Sequence, residues 1–242
     1  MARADLLIMF AKAPVAGRVK TRLQPTFTPA QSASLHAAFL LDLSERLLAG
    51  GDRWDGWLSL AGEENAVIAE IRGFGVEVVE QAGGGLGDRM AAAIEAGLAA
   101  GYETVTLIGS DAPTLPEALV AECIGNLKGG GADDPGSVDR VVSFVPSFDG
   151  GFAAISARSP LPALRGAIPW STAETLAATI RALEGDNKLS ALTAFWYDVD
   201  EAADVTFLTR HLLGALGMRA GSIAPRTAAW LIEQGVTGEG LV

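Results

Sequence analysis

The chain has 242 residues, 49% hydrophobic and 19% charged, enough apolar material for one large domain or two closely packed lobes. Its formal charge of -11 argues against non-specific binding to nucleic acid or anionic membrane, since either needs a broad positive surface. Cys123 is the single cysteine, which excludes an internal disulfide and a cysteine-based zinc site and fits a reducing compartment.

In chain order, the apolar run Leu6–Phe10 reads as a buried parallel strand. Arg3 before it and Ala11-Lys12-Ala13 after it imitate a secretion signal, but the run is too short and Asp5 sits in the region that should be positive. No apolar stretch approaches a membrane-spanning length, so a cytoplasmic protein is expected. Lys12, Arg18, Lys20 and Arg22 follow the run, with Pro14 and Gly17 forbidding a helix between them. This predicts a mobile cationic loop at the carboxyl end of a strand, where open α/β sheets bind ligands, and suits an anion with several oxygens such as a nucleotide's phosphates. The competing reading is an ordinary solvated basic turn. It is not a P-loop, because Val19 stands where the second glycine belongs.

Thr28-Pro29 opens a helix with an apolar stripe at Leu35, Phe39, Leu43 and Leu47, stopped by Gly50-Gly51. Strands are expected at Trp57–Leu60, Val76–Glu80, Thr104–Ile108, Arg140–Val145, Phe152–Ser156 and Phe195–Val199. Helices are expected at Glu63–Phe74, Asp88–Ala100, Pro116–Leu127, Thr172–Leu183, Asp204–Leu216 and Pro225–Gln234, with a flexible surface loop from Lys128 to Asp139. His36 and His211 fall in helical patterns and read as surface or half-buried residues, not ligands. The alternation implies a mostly parallel central sheet with helices on both faces. The pair of strands flanking Asp149-Gly150-Gly151 reads as a small antiparallel insertion.

Asp111, just past the end of the most strand-like run, suits a Mg²⁺ or Mn²⁺ ligand, because hard cations take oxygen donors and bridge to phosphates. A simple turn cap is the alternative. Asp198 and Asp200, two apart in an expected strand, share a face and can point at one metal; they read equally as solvated acids. The Asp149-Gly150-Gly151 turn permits close backbone approach to a ligand or is a plain hairpin. Gln81 and the Gly83–Arg89 glycine loop lie beyond a third strand end, where bare amides can hold a phosphate or read a base edge. Trp170 walls an acceptor pocket or belongs to the core.

Six motifs occur in order: FAKAPVAGRVKTRL (Phe10–Leu23), GLGDRM (Gly85–Met90), GSDAPTL (Gly109–Leu115), Asp149-Gly150-Gly151, Trp170-Ser171-Thr172 and Asp198-Val199-Asp200. Together they resemble the bacterial DUF2064 family of proposed glycosyltransferases, in the nucleotide-diphospho-sugar transferase superfamily with the GT-A fold. The resemblance spans about residues 5 to 205, and the chain is more distantly similar to phospholactate and molybdenum-cofactor guanylyltransferases. It departs from the family pattern at Gly85 and Phe148, where an acid is usual, and at Phe152, where a tyrosine is usual.

The resemblance implies a single Rossmann-like GT-A α/β domain over 1–217. Residues 218–242 would form a helical extension packed on it or on a neighbouring subunit, where Trp230 and Leu231 could make a homodimer contact. It implies substrate and nucleotide binding by Ala11, Lys12, Gly17, Arg18, Lys20, Arg22, Gln81, Gly87, Arg89, Ser110, Gly150, Gly151 and Trp170. Catalysis would fall to Lys20, Asp111 and Asp149, and a Mg²⁺ or Mn²⁺ ion to Asp111, Asp198 and Asp200. The expected function is metal-dependent glycosyl transfer from a sugar nucleotide to a small acceptor. Nucleotidyl transfer from a nucleoside triphosphate to a phosphorylated acceptor is the alternative, and a non-catalytic nucleotide-binding protein the third reading. No nucleic-acid partner is expected.

Overall fold

A computed structural model describes residues 4–49, 52–128, 140–214 and 223–238. Its strands are β1 (Asp5–Lys12), β2 (Asp55–Ala61), β3 (Glu77–Glu80), β4 (Thr104–Gly109), β5 (Arg140–Pro146), β6 (Phe152–Ala157) and β7 (Leu189–Leu192). The helices are α1 (Pro29–Leu43), α2 (Ala66–Gly73), α3 (Leu86–Ala99), α4 (Glu117–Gly125), α5 (Thr175–Gly185), α6 (Ala202–Leu213) and α7 (Pro225–Glu233). The strands form one seven-stranded sheet in the order β3-β2-β1-β4-β6-β5-β7. β6 alone runs against its neighbours, β4 and β5, so the antiparallel element sits within the sheet and not beside it.

β1 holds the centre because its side chains are apolar on both faces. Leu7, Met9 and Ala11 join α1, α2 and α4 through Leu40, Leu43, Ile71 and Cys123 on one side. Leu6 and Ile8 meet Met90 and Ile94 of α3 and Leu183 of α5 on the other. The period of two thus feeds two separate cores from one strand. Thr28 caps α1, its hydroxyl accepting from Gln31 N at 3.2 Å while Gln31 Oε1 accepts from Thr28 N at 2.9 Å, with Pro29 in the first turn. The helix then widens into a π-helical turn over Ser44–Leu48.

A third apolar cluster joins Leu35 and Phe39 of α1 to Leu208 of α6 and Trp230 and Leu231 of α7. Trp230 Nε1 donates to Ser34 Oγ at 2.8 Å, and Trp230 and Leu231 are buried against their own chain. Asp42, buried in α1, accepts from the amides of Arg226 and Thr227 and from the Thr227 hydroxyl, at 3.0, 2.8 and 2.7 Å. These bonds satisfy the first-turn donors of α7 and pin it to α1.

Two expectations change. Phe195–Val199 is not a strand: only Trp196 touches the sheet, through one bridge to Ser147, and the edge strand is the earlier Leu189–Leu192. The cause is that Val199 N donates to Asp111 O at 2.9 Å and Tyr197 turns into the third cluster, which pulls the segment off the sheet and across its strand ends. Most of the loop expected from Lys128 to Asp139 lies outside the described residues. Among the described residues no helix is long and apolar enough to cross a membrane.

Candidate active site

At the carboxyl ends of β1 and β4 lies a cavity of about 600 Å³. The basic loop after β1 forms one wall; it is anchored at its ends, where Val19 and Leu23 are buried and Ala13 N donates to Ala61 O at 3.0 Å, while Val15 to Arg18 are exposed. Lys20 sits in the left-handed region, φ 47° and ψ 42°, at the start of a short 3₁₀ turn over Thr21–Leu23. A non-glycine residue held there stores strain that its surroundings must outweigh. Here they do so through the side chain, which is only 4% exposed. Its Nζ lies 2.5 Å from Asp111 Oδ1 and 3.0 Å from Asp200 Oδ1, donates to Val199 O, and stands 5.6 Å from the Phe39 ring centroid.

Burial alone would lower the Lys20 pKa, but Asp111 and Asp200 outweigh it and hold the ammonium above the ordinary lysine value. Burial would likewise raise Asp111, yet Lys20, with His36 second, holds it below the usual carboxylate range. The Asp111 side chain keeps 44% of its surface open, so the desolvation it feels is partly relieved by the cavity. Arg22 reaches Asp200 Oδ2 at 3.3 Å from the exposed side. Arg46, on the π-helical turn, donates to the carbonyls of Pro113 and Leu115 at 2.9 and 2.8 Å and fixes the turn that carries Asp111.

On the opposite wall, Ser147 Oγ donates to Asp198 Oδ1 at 3.2 Å, and Gly151 N donates to Asp149 Oδ1 at 2.8 Å. Partial burial, then repulsion from Asp149 and Asp200, pushes Asp198 up to about 6. Gln81 gives its amide to Ser59 O at 2.9 Å and accepts from Arg89 Nη1 at 3.0 Å, which aims the guanidinium along the cavity. Trp170 lines the cavity with its ring edge-on to Phe152, centroids 6.4 Å apart.

Of the residues expected at the site, Ala11, Lys12, Arg18, Lys20, Arg22, Gln81, Arg89, Ser110, Asp111, Asp149, Gly151, Trp170, Asp198 and Asp200 all line this cavity. Gly17, Gly87 and Gly150 do not, and each serves the backbone. Gly17 holds φ +79° in the turn before Arg18. A Cβ on Gly87 would lie 1.9 Å from Leu164 O, and one on Gly150 2.1 Å from Ala173 O. Sequence reasoning missed His36, which is buried, lines the cavity and places Nδ1 4.0 Å from Asp111 Oδ1. Burial lowers its pKa; Nε2 donates to Lys12 O at 3.1 Å, and the buried Nδ1 has no hydrogen-bond partner. Its position three residues before Phe39 on an apolar helix stripe was the available signal.

Among the described residues no three His, Cys, Asp or Glu side chains converge tightly enough to hold a metal ion as they stand. The Lys20 ammonium fills the space between Asp111 and Asp200. The donor chemistry nevertheless fits a divalent cation: among the described residues Asp198 faces other acids with no Lys or Arg in salt-bridge contact, and the buried His36 Nδ1 is without a hydrogen-bond partner next to Asp111.

The family model described as "Uncharacterized protein conserved in bacteria (DUF2064)" matches residues 46–172, just over half of the chain. The chain belongs to the DUF2064 family. The match takes in Arg89, Asp111, Asp149 and Trp170, while the basic loop and the Asp198/Asp200 pair of this DUF2064 chain lie outside it and are joined to it only by the fold. No curated relative matches it in sequence. Among solved structures it is similar to a protein of Desulfovibrio desulfuricans G20 that carries the provisional name nucleotide-diphospho-sugar transferase. The two share 24% identity over 96% of each chain, with a TM-score of 0.79. It is also similar to 4-diphosphocytidyl-2C-methyl-D-erythritol synthase of Anaerococcus prevotii DSM 20548, at 11% identity over 87% of this chain and 96% of that one, TM-score 0.55. A cytidylyltransferase of Leptospira borgpetersenii serovar Hardjo-bovis (strain JB197) matches at 11% identity over 99% of both chains, TM-score 0.53. These likenesses establish a shared GT-A-type fold.

Proposed function

We propose that this chain is a transferase that moves a glycosyl group from a nucleotide-diphospho-sugar to a small hydroxyl acceptor. The observation that carries the reading is that the basic loop and the acidic residues, which come from opposite ends of the sequence, open into one cavity at the strand ends. Lys12, Arg18, Lys20 and Arg22 would bind the diphosphate, and Gln81 with Arg89 would face the base. The acceptor hydroxyl attacks the anomeric carbon, its oxygen bonding to that carbon as the carbon–oxygen bond to the phosphate breaks. Both electrons of the broken bond leave with the nucleoside diphosphate, and Asp149 takes the hydroxyl proton. Cations already fixed in place stabilise the charge that builds on the phosphate oxygens, and such stabilisation is the main source of rate enhancement in reactions of this kind. A Mg²⁺ or Mn²⁺ ion, held by Asp111 with Asp198 and Asp200, would add Lewis-acid stabilisation to the same oxygens. A free, buried Cys123 suits a reducing, cytoplasmic setting.

A second reading, nucleotidyl transfer from a nucleoside triphosphate, draws on the four cations of the first loop, more than a diphosphate needs. Incubation with sugar nucleotides and with nucleoside triphosphates, each with Mg²⁺ or Mn²⁺, separates the two. Release of a nucleoside diphosphate supports glycosyl transfer, and release of pyrophosphate supports nucleotidyl transfer. Nucleotide binding, read as a rise in melting temperature, without release of either would make the chain a binding protein.

A further inference from the structure

The β5–β6 turn, whose other residues line the cavity, carries a feature that glycosyl transfer leaves unused. Ser147, Asp149 and Gly151 line the cavity, but Phe148 between them stands 73% exposed. Its ring stacks on that of Phe195, itself 52% exposed, with centroids 5.7 Å apart and planes inclined by 22°. The two rings arrive from separate segments, Phe148 from the turn after β5 and Phe195 from the stretch after β7, and the Ser147–Trp196 bridge holds those segments side by side. Leu192 at the end of edge strand β7 adds another exposed apolar side chain. Isolated exposed apolar residues are ordinary, but two phenyl rings stacked in water one residue from a cavity-lining carboxylate mark a surface meant to be covered.

Charge decides what can cover it. Asp198 belongs with the proposed cation, which leaves Asp149 on this side of the cavity without a Lys or Arg partner within salt-bridge distance among the described residues; the cations belong to the opposite wall. An anionic acceptor arriving over this turn would meet the uncompensated Asp149 carboxylate. A neutral molecule with an apolar face meets no such repulsion and gains the phenyl surface. Asp149, the next residue in the chain, lines the cavity, so the same turn carries both the exposed ring and a carboxylate of the cavity wall.

We infer that the acceptor is a neutral alcohol with an aryl or alkyl body, which rests on Phe148 and Phe195 while its hydroxyl reaches Asp149. The inference rests on the transferase reading and names the class of its second substrate; it also counts against a phosphorylated acceptor.

Three probes of one sugar test it: phenyl β-D-glucoside, methyl β-D-glucoside and glucose 6-phosphate, with binding to the full chain followed by saturation-transfer NMR. The phenyl glucoside is expected to bind about tenfold more tightly than the methyl glucoside, with glucose 6-phosphate the weakest. In the double variant Phe148→Ala/Phe195→Ala the two glucosides become equal, while the nucleotide-induced rise in melting temperature persists. Equal binding to the wild type, preference for the phosphate ester, or a preference that survives in the double variant overturns the inference. So does a wild-type dimer that sedimentation finds dissociated in the double variant, because a second copy would then be what covers the rings. If no nucleotide shifts any form, the transferase reading falls instead, and the glucoside comparison, made without nucleotide, still decides for or against the aromatic rim.

Discussion

On the β1 wall of the cavity Lys20 and Asp111 answer one another inside the chain, whereas on the β5–β6 wall Asp149 and Asp198 have no Lys or Arg partner among the described residues, and two exposed phenyl rings stand beside that wall. Lys20 is held by Asp111, Asp200 and Val199 O, and Arg89 by Gln81. Asp198 accepts from the Ser147 hydroxyl and has no Lys or Arg partner among the described residues, with burial, then Asp149 and Asp200, raising its proton affinity. The first wall is organised before any ligand arrives, which limits the reorganisation left for the moment of reaction. The second is incomplete without a ligand, so specificity should be sought there.

If that contrast is right, the largest effects on binding come from the paired wall. Lys20→Ala leaves Asp111 and Asp200 without their shared cation, at a cost of about 1–2 kcal/mol of stability because both carboxylates are partly open to solvent, and should abolish any nucleotide-dependent rise in melting temperature. Asp111→Asn should also remove that rise. A rise unchanged in both variants would dissolve the site. Lys20→Gly refines the test, because glycine carries no penalty at φ 47°. It should be about 1 kcal/mol more stable than Lys20→Ala, the reverse of the usual order.

A change remote from both walls should separate folding from binding. Asp42→Ala strips three hydrogen bonds from the start of α7, two of them to backbone amides. About 2–3 kcal/mol of stability should be lost, seen as a lower denaturation midpoint, while the nucleotide-dependent rise remains. Loss of that rise as well would mean that α7 communicates with the basic loop through α1.

The same contrast governs what could be read before the fold was known. β1 and β4 were legible because apolar residues on both faces leave a short run little alternative to a buried strand, and Asp111 followed from its place after β4. The Lys20–Asp200 contact joins residues 180 apart and has no local signature. Phe195–Val199 has aromatic and β-branched residues in strand-like alternation, yet its amides and side chains are claimed by Pro146, Asp111 and α6, which outweighs local propensity. Leu189–Leu192 is a strand only because β5 offers it an edge; its own four residues carry no such signal. Gly87 looked like a ligand-facing glycine of a phosphate loop, and only the packing of Leu164 against α3 reveals why a side chain is forbidden there.

The open wall should announce itself in pH. Asp198 has a pKa of about 6 in the folded chain, against about 3.9 in an unfolded one. Between those values the native state binds the proton more tightly, so the group favours folding fully below the unfolded value and loses that contribution as pH rises through 6. The full difference is approached only above that point, and because the carboxylate is half-open to solvent, about 1 kcal/mol is the expected size after screening. Asp198→Asn removes the repulsion with Asp149 and Asp200 at every pH. The variant should therefore match the wild type near pH 4 and exceed it in melting temperature above pH 7. A gap that stays constant across this range would mean that Asp198 already has a cationic partner, and the two walls would then be equally paired.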